Sequence, residues 1–169
     1  MDWRPDWTDD GDALAASLAE RLDGLLFVDL PTDEVGKLLV DEVIAWGRSR
    51  GWRVYHRAPS VFPLPPPFAH QHSFVDAGIA RADGPPIVVE VDHTDRRRTV
   101  DKLLAEAQAG RLPLWVRWGS RAGSVPPAPI RLVAVTVASR RGLHTRRRDV
   151  PVPSHSEVDL GDSAQQDLF

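Results

Sequence analysis

The stretch Ile87-Val88-Val89-Glu90-Val91-Asp92 decides how the chain is read. Val88, Val89 and Val91 put apolar side chains on both faces, so this is a strand with cover on both sides. Asp83-Gly84-Pro85 in front of it is a turn, and Ser73 to Ile79 before that turn is a further strand. Behind it, Thr99 to Ala109 reads as a helix stopped by Gly110, and Leu114 to Trp118 as the next strand. A strand, a helix and a strand in that order form a crossover, which pairs 87–92 with 114–118 in parallel.

Working outward, Trp52 to His56 is a strand and Ile130 to Ala138 another. Residues 59–67 are too rich in proline for a regular helix or a central strand. Thr32 or Asp33 caps a helix over roughly 33–50, which Gly51 ends. Asp12 caps a shorter helix with Leu14, Leu18 and Leu22 on one stripe, after an irregular acidic lead over 1–11. Gly119 to Pro129 is a loop. Strands 52–56, 73–79 and 87–92 suit an antiparallel meander. The expected fold class is therefore α/β, a mixed sheet flanked by helices. The expected organisation is an acidic N-terminal segment over 1–32, an α/β domain over 33–148, and a polar tail over 149–169 that is expected to be disordered.

A length of 169 residues suits one domain with a core of its own. With no cysteine, disulfides and thiolate metal sites are excluded. No apolar run is long enough to span a bilayer, and the acidic start lacks a signal core, so a cytoplasmic protein without a membrane partner is expected. The net charge of -3 hides an uneven distribution. Residues 1–45 hold 12 acidic and 3 basic side chains, 46–148 hold 7 and 18, and 149–169 hold 5 acidic and none basic. A basic middle between acidic ends suits a domain that binds a polyanion such as DNA; clustered solvated faces give the same count.

Glu90 and Asp92 lie two apart on one strand and point to the same face. Two carboxylates ending an apolar strand repel each other, and a hard divalent cation, Mg2+ or Mn2+, would remove that cost. Antiparallel pairing through the turn at 80–86 brings Asp76 beside Glu90, so Asp76, Glu90 and Asp92 form the candidate metal set. On the helix 33–50, about 100° per residue puts Val35, Leu38, Leu39, Val43 and Trp46 on one arc with Glu42 near its centre. A carboxylate there either points into a site or pairs with a cation.

A helical Glu, an Asp on the second strand and E-x-(D/K) on the third, in the order α-β-β-β-α-β over roughly 33–138, resemble the PD-(D/E)XK nuclease superfamily. The resemblance implies a restriction-endonuclease-like core that cuts phosphodiesters with metal-activated water. It implies Asp76 and Glu90 as metal ligands and Glu42 as an auxiliary group. The chain departs from the pattern where the lysine two after the second acid is Asp92. Some members carry that lysine on the next helix, where Lys102 stands here. Glu90-Val91-Asp92-His93-Thr94 followed by Lys102-Leu103 is similar to a run in replication-relaxation proteins. On the wheel, Val100, Leu103, Leu104 and Ala107 make the core stripe and Lys102 lies off it, which reads as an exposed lysine unless the helix edge overhangs the site. Without that lysine, a catalytically inactive relative binding DNA or a protein partner is the alternative.

Arg96, Arg97 and Arg98 follow the acidic strand where a phosphate backbone would pass, and Arg140 and Arg141 follow the last strand. Trp118, before a Gly/Ser loop, is a candidate for stacking on a base. His70, His72 and His93 would favour zinc or manganese if they reached the acids; exposed histidines are the default. No Ser-His-Asp spacing, phosphate loop or dinucleotide fingerprint occurs. The end Gln165-Gln166-Asp167-Leu168-Phe169 resembles the bacterial sliding-clamp-binding pentapeptide. By that resemblance Gln165 bonds at the rim of the clamp's pocket, Asp167 takes the Ser/Asp position of the motif, and Leu168 and Phe169 fill the apolar pocket. Docking of Phe169 on its own domain is the alternative. The combined expectation is a DNA repair or replication protein tethered to the clamp beside other repair proteins.

Overall fold

The computed structural model describes residues 4–121 and 123–148, with side chains from residue 10 onward. Eleven elements follow in chain order: α1 (Arg4–Asp23), β1 (Phe27–Pro31), α2 (Thr32–Ser49), β2 (Arg53–Pro63), β3 (His72–Ala80), β4 (Ile87–His93), α3 (Arg97–Gln108), β5 (Leu112–Gly119), β6 (Arg131–Thr136), β7 (Ala138–Arg140) and β8 (Leu143–Arg146). Left-handed glycines after α2 and α3, Gly51 (φ 80) and Gly110 (φ 93), let the chain leave both helices at once.

The main sheet has the order β2-β3-β4-β5-β6. β2, β3 and β4 are antiparallel, while β4, β5 and β6 are parallel. The mixed sheet, the meander and the parallel crossover through α3 are as expected from the sequence. Ile87 and Val89 of β4 join Leu14, Leu18 and Leu22 of α1 and Val35, Leu39, Val43 and Trp46 of α2 in one core. Val88 faces the other way, against Val75, Leu103, Trp115 and Ile130 beneath α3. The molecule is thus three layers, two helices on one face and one on the other.

Several elements differ from expectation. The lead over 1–11 is largely helix, since α1 begins at Arg4; Pro5 falls in its first turn, where a missing N–H costs nothing. The leucines of α1 belong to the main core. β2 runs to Pro63, because it is an edge strand and its prolines need not donate to a neighbour. The expected strand 130–138 is two: the chain leaves the main sheet after Thr136 and enters a second sheet, β1-β8-β7. Thr32 does not cap α2; its hydroxyl bonds His144 Nε2 at 2.9 Å instead, and Ser139 Oγ holds the other ring nitrogen at 2.7 Å.

Candidate active site

β3 and β4 pair only through Ala77–Val89, Gly78–Val88 and Ile79–Ile87. Past that point they part, and the carboxylate of Asp76 replaces the ladder by accepting the Val91 N–H at 2.7 Å. β3 stays paired with β2, through Val75–Ala58 and Phe74–Pro59. The gap between this two-stranded arm and the end of β4 is a cleft of about 460 Å³, roofed by α3. Asp76, Glu90, Asp92, Lys102, Arg57, Arg96 and Arg98 all line it.

Lys102 is not an exposed lysine. Its side chain is 12 % exposed, and Nζ donates to Phe74 O at 2.7 Å and lies 3.3 Å from Glu90 Oε2. The apolar wheel misjudged the buried side of α3, because two of its buried residues are polar. Thr99, Leu103 and Glu106 are the ones packed inward. Glu106 accepts from Ser60 Oγ and from Val61 N–H at 2.8 Å, and Thr99 donates to Asp92 Oδ2 at 2.6 Å. One turn beyond Thr99, Lys102 is carried to the cleft.

The carboxylates differ in their surroundings. Burial, then the charge of Asp76, push the Glu90 carboxyl up to about 8 despite Lys102. Burial likewise raises Asp76, opposed by the Val91 N–H. Asp92 is a scaffold: its Oδ2 also receives Trp115 Nε1 at 3.0 Å, and Arg96 approaches its Oδ1 at 3.6 Å. With one oxygen taken by two buried donors, Asp92 is poorly placed to ligate a cation.

Among the described residues no group of three His, Asp or Glu side chains gathers closely enough to hold a metal by itself. Asp76 and Glu90 supply two oxygen donors in the cleft, the kind of donor that Mg2+ or Mn2+ takes with water completing the shell. The zinc expectation finds no support in the histidines. His72 bonds Ser60 O at 3.2 Å, His93 bonds Trp118 O at 3.1 Å, and His70 is exposed.

Other expected site residues are elsewhere. Glu42 pairs with Arg21 of α1 at 2.9 Å, since α1 packs beside the apolar stripe of α2. The carboxylates of α2 that share a cavity with Asp76 are Asp33 and Asp41, in a second hollow of about 500 Å³ that also includes Lys37 and His56. Trp118 is 2 % exposed and stacks on His93 at 4.0 Å, with His144 edge-on, so its ring is closed to a base. Arg96 and Arg98 line the cleft, whereas Arg97 turns toward Asp101 at 3.7 Å. Arg140 and Arg141 are exposed on the small sheet's β7–β8 hairpin and are not among the residues lining the cleft. Gln165, Asp167, Leu168 and Phe169 lie outside the described residues.

Arg57 was missed by sequence reading. It lies on β2 between His56 and Ala58, whose partners Ala77 and Val75 flank Asp76 on β3, in a left-handed conformation (φ 57), and only its basic character in a strand marks it. Phe74, beneath its guanidinium, read simply as a strand residue.

Comparison of the chain with protein-family models, with curated proteins and with solved structures gave no match to any of them.

Proposed function

We propose that the cleft is a divalent-metal-dependent phosphodiesterase site acting on DNA, with Asp76, Glu90 and Lys102 as its core. The observation that supports this reading most is the approach of Lys102 to Glu90 in a cleft shared with Asp76 and three arginines. The acid–acid–lysine combination of the nuclease resemblance is then complete, with the lysine supplied by α3 instead of the strand. Asp76 and Glu90 would hold Mg2+ or Mn2+, and the ion's chemistry would be to neutralise phosphate charge and make water more acidic. Lys102 offers positive charge to the charge that develops on the phosphate. Arg57, Arg96 and Arg98 hold neighbouring phosphates.

Incubation of the full chain with supercoiled DNA and Mn2+ tests this. Nicking that disappears in Glu90→Ala is expected. No cleavage of any DNA form with any divalent cation would favour the second reading, an inactive adaptor that binds DNA or a protein. One observation supports that alternative: both contacts of Lys102 are to protein groups, as in a purely structural ion pair. For the tail, we propose recruitment to the bacterial sliding clamp through Gln165, Asp167, Leu168 and Phe169, in DNA repair or replication. No helix among the described residues is long and apolar enough to cross a membrane.

A further inference from the structure

The arm formed by β2 and β3 carries aromatic rings next to the cleft, and arginines lie on those rings. Phe74 is 41 % exposed, lines the cleft, and has the Arg57 guanidinium 4.6 Å from its ring centre. Arg98, whose Nη2 donates to Pro63 O at 2.9 Å, lies 4.9 Å from the ring of Phe62. Phe68, in the connection at the end of the arm, is 52 % exposed. Phe74 and Phe68 thus keep about half of their surface open beside a polar cleft, and Phe62 is half-buried. A guanidinium over a ring keeps its outer plane free for a second flat partner and its charge free for a phosphate.

We infer that this arm is a platform for an unpaired DNA strand, with Phe74 and Arg57 as the first stacking step beside Asp76 and Glu90. Paired bases offer a protein their edges in the grooves, and only an unpaired base offers a face to an exposed ring. Continuity with the cleft sets the direction: a strand whose base stacks at Phe74 has its backbone near Arg57, Arg98 and Arg96, which supply the complementary charge. The left-handed backbone at Arg57, uncommon for a residue other than glycine, is a local cost retained where the side chain turns into the cleft. The inference rests on the phosphodiesterase reading for what the strand is held for, but not for the binding itself.

The test measures binding by the full chain in EDTA, so that cleavage plays no part. The probes are a fluorescein-labelled oligothymidylate of about sixteen nucleotides, within the range that single-strand sites cover, and its duplex with oligoadenylate. The single strand is expected to bind at least about tenfold tighter than the duplex, given stacking worth about 1–3 kcal/mol per base. Phe74→Ala should weaken single-strand binding about fivefold or more, and Phe74→Trp should restore it. Phe74→Leu, which keeps apolar contact with the arm, should bind as poorly as Phe74→Ala, which separates stacking from folding. Arg57→Gln should reduce the salt slope for the single strand by about 0.7. Equal or tighter binding of the duplex, or unchanged binding by both Phe74→Ala and Phe74→Leu, overturns the inference. Tight single-strand binding without cleavage in Mn2+ would sink the phosphodiesterase reading and leave this one standing.

Discussion

Lys102 Nζ lies 3.3 Å from Glu90 Oε2 although the two residues belong to different layers of the fold. Asp92 makes this possible. By binding Thr99 and Trp115 with one oxygen, it fixes the first turn of α3 over the sheet and so sets where Lys102 falls. Asp92 thus helps set where Lys102 stands relative to Glu90, which on the nuclease reading proposed above is the place of the strand lysine.

Stability should depend on pH through Glu90. Its carboxyl titrates at about 8 in the folded chain against an ordinary 4.5. Between those values the folded chain holds more protons than the unfolded one. The stabilising contribution is therefore full below about 4.5 and is lost as pH rises through about 8. In EDTA, Tm should fall between pH 6 and pH 9 in the wild type, and fall less in Glu90→Gln. Parallel melting curves for the two proteins would contradict this.

Manganese should reverse that loss. A cation held by Asp76 and Glu90 displaces the proton, so the Tm increase on adding Mn2+ should be larger at pH 8 than at pH 6. It should vanish in Asp76→Asn. An increase that persists in that variant would place the ion elsewhere.

Asp92→Ala should lower stability and leave manganese binding intact. It leaves two buried donors without an acceptor, at about 1–3 kcal/mol each. In a chain of this size, each kcal/mol is about 2–4 °C in Tm. Manganese binding by the folded variant, followed by calorimetry, should survive. Loss of manganese binding with an unchanged Tm would make Asp92 a ligand after all.

Glu42→Gln should leave cleavage unaltered. Its partly exposed pair with Arg21, side chains 29 % and 36 % exposed, is worth less than about 1 kcal/mol. A fall in cleavage of about a hundredfold, the size expected on removing a transition-state group, would return Glu42 to the site.

Removal of Leu168 and Phe169 should abolish capture by an immobilised bacterial sliding clamp and leave the melting curve unchanged. Capture that persists would dismiss the clamp-binding resemblance.

The sheet was legible where periodicity and length agreed. The valines around Glu90, the turn at Asp83-Gly84-Pro85 and the helix ending at Gly110 carried the meander and the crossover. β7 and β8 were not legible, since strands of 3 and 4 residues are too short to show a period, and β1 was not read because Asp29 and Pro31 break its apolar pattern. Missing the β7–β8 hairpin also hid what covers Trp118, because His144 from that hairpin closes over its ring. Lys102 was misjudged because a wheel scored on apolar residues cannot see that Thr99 and Glu106 are buried against Asp92 and Ser60. Glu42 showed the reverse error: its position on the buried side of α2 was legible, but its partner, Arg21, sits on a helix distant in sequence.

The most direct test of the central claim is the single-turnover rate of cleavage of a labelled DNA strand in Mn2+ by wild type and by Lys102→Ala. Cleavage by the wild type, slowed about a hundredfold or more in Lys102→Ala with manganese affinity retained, is the predicted result. Equal rates in the two proteins, or no cleavage by the wild type, would contradict the assignment of Lys102 as the lysine that completes the site.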